Sequence, residues 1–165
     1  MILRLIILSS LLSILMACGE KAPTEAQTMP QEESAAEPEG PAVSAALPRS
    51  ESAPGARVFF ITPADGATVG NPVSIEFGIE GMDVVKAGTD QAHSGHHHLL
   101  IDTGLPEFGL PIPADEHHVH FGDGSTATEI TLQPGAHTLQ MLLGDHLHIP
   151  HNPPLVSEVI TITVE

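Results

Sequence analysis

From Val73 to Ile79 the chain reads VSIEFGI and alternates cleanly: Val73, Ile75, Phe77 and Ile79 fall on one side, Ser74 and Glu76 on the other. Only an extended backbone sends every second side chain to the same face, so this stretch predicts a half-buried β-strand. Similar short runs lie around it: RVFFI (57–61), HHHLLID (96–102), HHVHF (117–121), ATEITL (127–132), AHTLQMLL (136–143) and SEVITITV (157–164). Turn chemistry separates them, including Asp65-Gly66, Asn71-Pro72, Pro134-Gly135 and the Pro/Gly-rich TGLPEFGLPIPADE. No stretch of helical length carries a 3.6-residue period. About seven short strands with turns between them predict an all-β fold over 57–165, an immunoglobulin-like β-sandwich, with a small jelly roll as the alternative.

The N-terminal part is built differently. MILRLIILSSLLSILMAC has one early charge, Arg4, then an apolar run from Leu5 to Ala17 that ends at Cys18. This is the layout of a secretory signal over 1–17. The run falls short of the ~20 apolar residues of a comfortable membrane span. Leu15-Met16-Ala17-Cys18 matches the lipobox pattern, which predicts cleavage before Cys18 and lipid on that residue. By similarity to Gram-negative lipoproteins, Gly19 after the cysteine implies the outer membrane, with the protein facing the periplasm. The segment 18–56 is rich in Pro, Glu, Ala and Ser and nearly free of large apolar residues. Such a composition cannot bury enough apolar surface to offset ordering entropy, so a disordered tether is expected there.

Cys18 is the only cysteine of the chain, which leaves 57–165 without a thiol. A disulfide, a zinc–thiolate site and a cysteine nucleophile are thereby excluded from the domain. The domain holds 14 acidic residues against two basic ones, Arg57 and Lys86, and the chain has no Trp or Tyr. A nucleic-acid partner is excluded by that charge, and the stacking platforms for bases are missing. A strongly negative surface instead attracts cations.

All 11 histidines of the chain lie between His93 and His151. On an extended strand His96 and His98 share a face with Leu100 and Asp102, which is expected to look outward, while His97 turns into the core beside Leu99 and Ile101, held by hydrogen bonds. In HHVHF, His118 and His120 share one face, and Val119 and Phe121 share the other. Two imidazoles one pleat apart can converge on an ion at ~2.0–2.1 Å from each nitrogen, so each H-x-H is a half-site. If the two strands are neighbours, His96, His98, His118 and His120 form a four-nitrogen set suited to copper or zinc. The loop GDHLHIPHNPP adds His148 and His151 as candidate ligands, and Asp145 as a further ligand or a carboxylate that orients one. His137, in line with Leu139, Met141 and Leu143, reads as a hydrogen-bonded corner residue, and Met82 and Met141 as core.

Taken in order, VFFITPADGATV, FGIEGM, GHHHLLIDT, PIPADEHHVHFGDG, PGAHTLQMLLGDHLHIPHNPP and SEVITITV resemble an uncharacterised family of secreted bacterial domains, a domain of unknown function. The resemblance covers nearly all of 57–165. It implies a periplasmic or surface β-domain and no particular activity. HVHFGDG (118–124) is also similar to the copper-ligand segment of copper/zinc superoxide dismutases. The present chain has one residue fewer between the second histidine and Gly-Asp, and it lacks the disulfide cysteines and a zinc subloop.

The sequence therefore predicts a lipid-anchored envelope protein that binds a divalent copper or zinc ion through His96, His98, His118, His120, His148 and His151. The alternative is a non-enzymatic structural or interaction domain whose histidines form a hydrogen-bonded loop network, docking an envelope protein partner. No G-x-S-x-G, phosphate-binding glycine loop or H-E-x-x-H occurs, and nothing in the spacing selects a catalytic pair.

Overall fold

The computed structural model describes residues 47–165. The signal segment, Cys18 and most of the tether lie outside the described residues. Among those described there are nine strands and no helix. They are β1 (Arg57–Thr62), β2 (Thr68–Val69), β3 (Val73–Glu80), β4 (Asp83–Val84), β5 (Ser94–Ile101), β6 (His118–His120), β7 (Ala127–Ile130), β8 (Gly135–Gly144) and β9 (Ile160–Val164).

A three-stranded antiparallel sheet has the order β1-β3-β7. A larger sheet runs β2-β9-β8-β5-β4, with β6 also paired to β5. Inner residues of both sheets meet in one core: Val58 of β1, Ile75 and Phe77 of β3, Leu99 of β5, Met141 of β8 and Ile162 of β9 among them. The fold is thus an all-β sandwich, as the alternation predicts. The two strands beyond the expected seven, β2 and β4, have two residues each and only extend the ends of the larger sheet.

The outer face of β5 departs from expectation. Every residue from Ser94 to Ile101 is buried, on both faces. Leu100, Ile112 and Leu142 form a second small core, with Val156 against it. Loop residues around Ile112 and Ile149 lie over the sheet where solvent was expected, so His96, His98 and Leu100 point outward from the sandwich but not into water; only Asp102 emerges. The presence of Leu100 on the outer face is explained by this cover.

Two further corrections concern order and hydrogen bonding. The compact body does not begin at Arg57: the Ser52 and Asn152 backbones pair, and Arg49 reaches the Pro150 carbonyl at 2.8 Å, so residues upstream of β1 are docked. His97 does turn inward, its ring 5.2 Å from that of Phe77. Neither of its ring nitrogens has a hydrogen-bond partner, because its surroundings are the apolar residues of the main core. An unsatisfied buried polar group costs about 1–3 kcal/mol. His97→Leu, which keeps similar volume and removes that cost, is expected to stabilise the domain by about 1 kcal/mol, or about 4–8 °C in melting temperature. A thermal melt at pH 7.5 checks this, and a lower melting temperature would mean that the imidazole has a partner in solution.

A candidate metal centre on the outer face of the larger sheet

The centre forms where β5 is flanked by β8 on one side and β6 on the other. Antiparallel pairing sets His98 opposite His120 on β6 and opposite Leu142 on β8, while His96 lies opposite Gly144. Cross-strand partners share a face, so His96, His98 and His120 all look out from the same side. The Asp145–Ile149 turn brings a fourth ring, His148, over them.

The four imidazoles pack closely. Ring centroids are 4.9 Å apart for His96–His98 and His96–His120, 5.0 Å for His98–His120, and 4.8 Å from His148 to both His96 and His120. Ligand nitrogens of His96, His98 and His120 all lie within 4.8 Å of one another. The Nε2 atoms of His96 and His98 are 3.1 Å apart, within hydrogen-bonding distance. Two nitrogens bound at ~2.0–2.1 Å to a common ion stand at about that separation. His96 and His98 form a buried floor, His148 is half-buried, and His120 is exposed, so the rim is open to solvent.

Burial determines the charge state. It lowers the His96 pKa to about 4, with His148 and His120 nearby adding to the effect. Burial, then the neighbouring His96, His120 and His148, lowers that of His98 to about 2. His120 is also lowered, by burial and then His148, with Asp123 opposing. Rings kept neutral offer their lone pairs to a cation rather than to a proton. The Nδ1 atoms of His96 and His98 have no hydrogen-bond partner, so hydrogen bonding to protein does not occupy these rings beyond the single bond between them.

Two glycines make room. A Cβ at position 144 would lie 2.9 Å from His98 Nε2, and one at 122 would lie 2.3 Å from His120 Cε1. Side chains there would occupy the space in which the rings meet, a requirement that no histidine spacing reveals.

His148 depends on its turn. It has φ 64, a left-handed conformation uncommon outside glycine. Its amide donates to the Asp145 carbonyl at 2.9 Å, and its carbonyl accepts from Ile112 N at 2.8 Å. Asp145 Oδ1 accepts from Leu147 N at 2.9 Å and from Ile149 N at 3.0 Å. The carboxylate expected to orient a ligand does so through the backbone on either side of His148.

Two of the six candidate ligands lie elsewhere. His118 falls opposite Leu100, one pair beyond the His98–His120 register, and its Nδ1 contacts Asp115 Oδ1 at 2.8 Å. His151 is on the other face of β5, against Gly95, and its Nε2 donates to the Ser94 carbonyl at 3.0 Å. The antiparallel register and the path of the loop thus assemble His96, His98, His120 and His148, and leave His118 and His151 to local hydrogen bonds. His137 is the corner residue expected: Nδ1 meets Asp102 Oδ2 at 2.6 Å and Nε2 the Gln133 carbonyl at 2.8 Å. Met82 and Met141 are buried in the main core.

No curated protein and no solved structure matches the chain. A family model described as a domain of unknown function (DUF4399) matches residues 75–165, which span β3 to β9 and all four clustered histidines. The chain belongs to that family, the DUF4399 domain of unknown function.

Proposed function

We propose that the domain binds a divalent transition metal, copper or zinc, with His96, His98 and His120 as ligands and His148 as the fourth. The observation that carries this reading is the convergence of the ring nitrogens of His96, His98 and His120, with the His148 ring packed beside His96 and His120. A set of imidazoles without thiolates suits Cu(II) and Zn(II). The acidic surface concentrates cations near the open rim. A purely structural network accounts well for His117, His118, His137 and His151, each bonded to a carbonyl or carboxylate. It does not account for buried rings that bond only to one another. The lipobox at Cys18 and the Pro/Glu-rich segment support a role at the envelope of a Gram-negative bacterium: an outer-membrane lipoprotein facing the periplasm that buffers the ion or hands it to an envelope protein partner.

The test is metal content, with Cu(II) and Zn(II) titration, of the full chain prepared without a polyhistidine tag. One tightly held equivalent is expected. His96→Ala combined with His120→Ala abolishes it, whereas His118→Ala leaves it in place. A folded protein that takes up neither ion would sink the metal reading and return the histidines to a structural role. Loss of the ion in His118→Ala alone would show that the register does not define the ligands.

A further inference from the structure

The residues just upstream of β1 form a strap across both loops that cover the outer face of the larger sheet. Toward the first loop, Leu47 N donates to the Gly109 carbonyl at 3.1 Å, and the Arg49 guanidinium stands 5.4 Å from the centre of the Phe108 ring. Toward the second, Arg49 Nε donates to the Pro150 carbonyl at 2.8 Å and its terminal nitrogen to that of His151. Asn152 N donates to the Ser50 carbonyl at 2.9 Å. A composition that reads as tether thus ends in a segment held by partners distant in the chain, on both loops.

The strap and the His148 turn meet at one carboxylate. Asp145 is 1% exposed. Its Oδ2 accepts from Ser50 Oγ at 2.8 Å and from Ser50 N at 3.4 Å, while its Oδ1 accepts from the amides of Leu147 and Ile149, on either side of His148. A buried carboxylate that loses the Ser50 hydroxyl keeps its charge with only the long bond from Ser50 N on that oxygen, and it moves or takes on water. Either response acts on a turn that already holds His148 in a left-handed conformation.

We propose that the strap, through Ser50 and Asp145, is a positioning element for the fourth ligand, His148, so that docking of the strap and metal binding favour each other. The proposal rests on the metal-binding reading for its ligand. Ser50 and Asp145 act through His148 and do not touch the ion. The coupling is reciprocal: whatever the strap contributes to metal affinity, the metal returns to strap docking. The chain on the N-terminal side of the strap leads to the lipidation signal, so release of the strap is a route by which events at the anchor loosen the ion.

The experiment compares the full chain with the variant carrying Arg49→Ala and Ser50→Ala, using Cu(II) as probe. Affinity is expected to fall about tenfold, as for other loss of outer support to a ligand. The electron paramagnetic resonance spectrum should change from four coordinated nitrogens to three. His148→Ala should give the same spectrum, and adding the strap substitutions to it should cost nothing more, because both remove one interaction. Ser50→Thr, which retains the hydroxyl, should keep the four-nitrogen spectrum that Ser50→Ala loses. Unchanged affinity and spectrum in the strap variant, or losses that simply add, would overturn the proposal. Amide exchange without metal separates this from the metal reading. Faster exchange at Leu147 and Ile149 in the strap variant supports the strap's hold on the His148 turn, and unchanged exchange overturns the proposal; a wild-type chain that takes up no Cu(II) removes the coupling to metal but not that hold.

Discussion

Acidification from pH 7.5 to 4.5 is expected to remove most of the stability of this domain in the absence of metal. Three consecutive buried histidines are responsible. Burial lowers His96 and His97 to about 4, and His98, with its neighbouring histidines adding, to about 2. In the unfolded chain each takes up a proton near pH 6.5. Between pH 6.5 and 4 the unfolded state therefore binds more protons than the folded one, so stability falls as pH falls. The contribution is complete above pH 6.5 and is lost as the pH approaches the folded values. At pH 4.5 each ring costs about 2 kcal/mol, and together they are comparable with the ~5–15 kcal/mol that hold an ordinary domain.

The His137–Asp102 pair works in the opposite direction. The carboxylate of Asp102 and then the Gln133 carbonyl raise the His137 pKa, so its contribution is complete below pH 6.5 and lost as the pH rises through the folded value. That pair is solvent-accessible and its effect is small beside three buried rings. Urea unfolding at pH 7.5 and at 4.5 reads the difference directly. His97→Leu should remove about a third of the acid sensitivity, whereas a bound metal ion should raise stability at pH 7.5 but not lessen the fall on acidification, because it holds its ligands deprotonated in the folded state alone. A midpoint that does not move between the two pH values would show that the three rings are hydrated or hydrogen-bonded in solution.

Gly144→Ala should lower metal affinity at least about a hundredfold, more than the outer-sphere changes that usually cost 10–100-fold. The added methyl would lie 2.9 Å from His98 Nε2 and 3.2 Å from both His98 Cδ2 and Ile112 Cδ1. The backbone does not object, since Gly144 lies within β8 and is not among the positive-φ glycines. The conflict is with the ring of His98, which is 1% exposed and has Ile112 close by, so it has nowhere to retreat. Overpacking of this kind costs about 1–3 kcal/mol of stability, which leaves a folded protein to titrate. Gly122→Ala is the internal comparison. Its methyl strikes the His120 ring at 2.3 Å, but His120 is exposed and can swing outward, so a loss of about tenfold is expected. Copper titration of both variants, with thermal melts to confirm folding, distinguishes the two sites. Wild-type affinity in Gly144→Ala would remove His98 Nε2 from the ligand set.

The strand VSIEFGI and the pairing of faces within HHHLLID were legible because both follow from a local rule, the two-residue period of an extended chain. Val73, Ile75 and Phe77 are in the core, and His96 and His98 share a face turned away from His97. The same rule could not say what lies above that face. Leu100 faces outward yet is buried, because its partner Ile112 comes from a Pro/Gly-rich loop with no period at all. His97 was expected to find hydrogen bonds, but the apolar neighbours that deny them come from other strands.

The sequence by itself determined an all-β sandwich without thiols, acidic overall, that carries histidines in pairs one pleat apart. These properties depend on composition and on neighbours along the chain. Only the tertiary structure decided that His120 rather than His118 meets His98, that a left-handed turn held by Asp145 supplies His148, and that His151 lies on the other side of the sheet. Strand register and loop path are set by partners far away in the chain, where local periodicity carries no information. The same reason explains Arg49 and Ser50: their composition is that of a tether, and their hydrogen bonds reach residues 145–152.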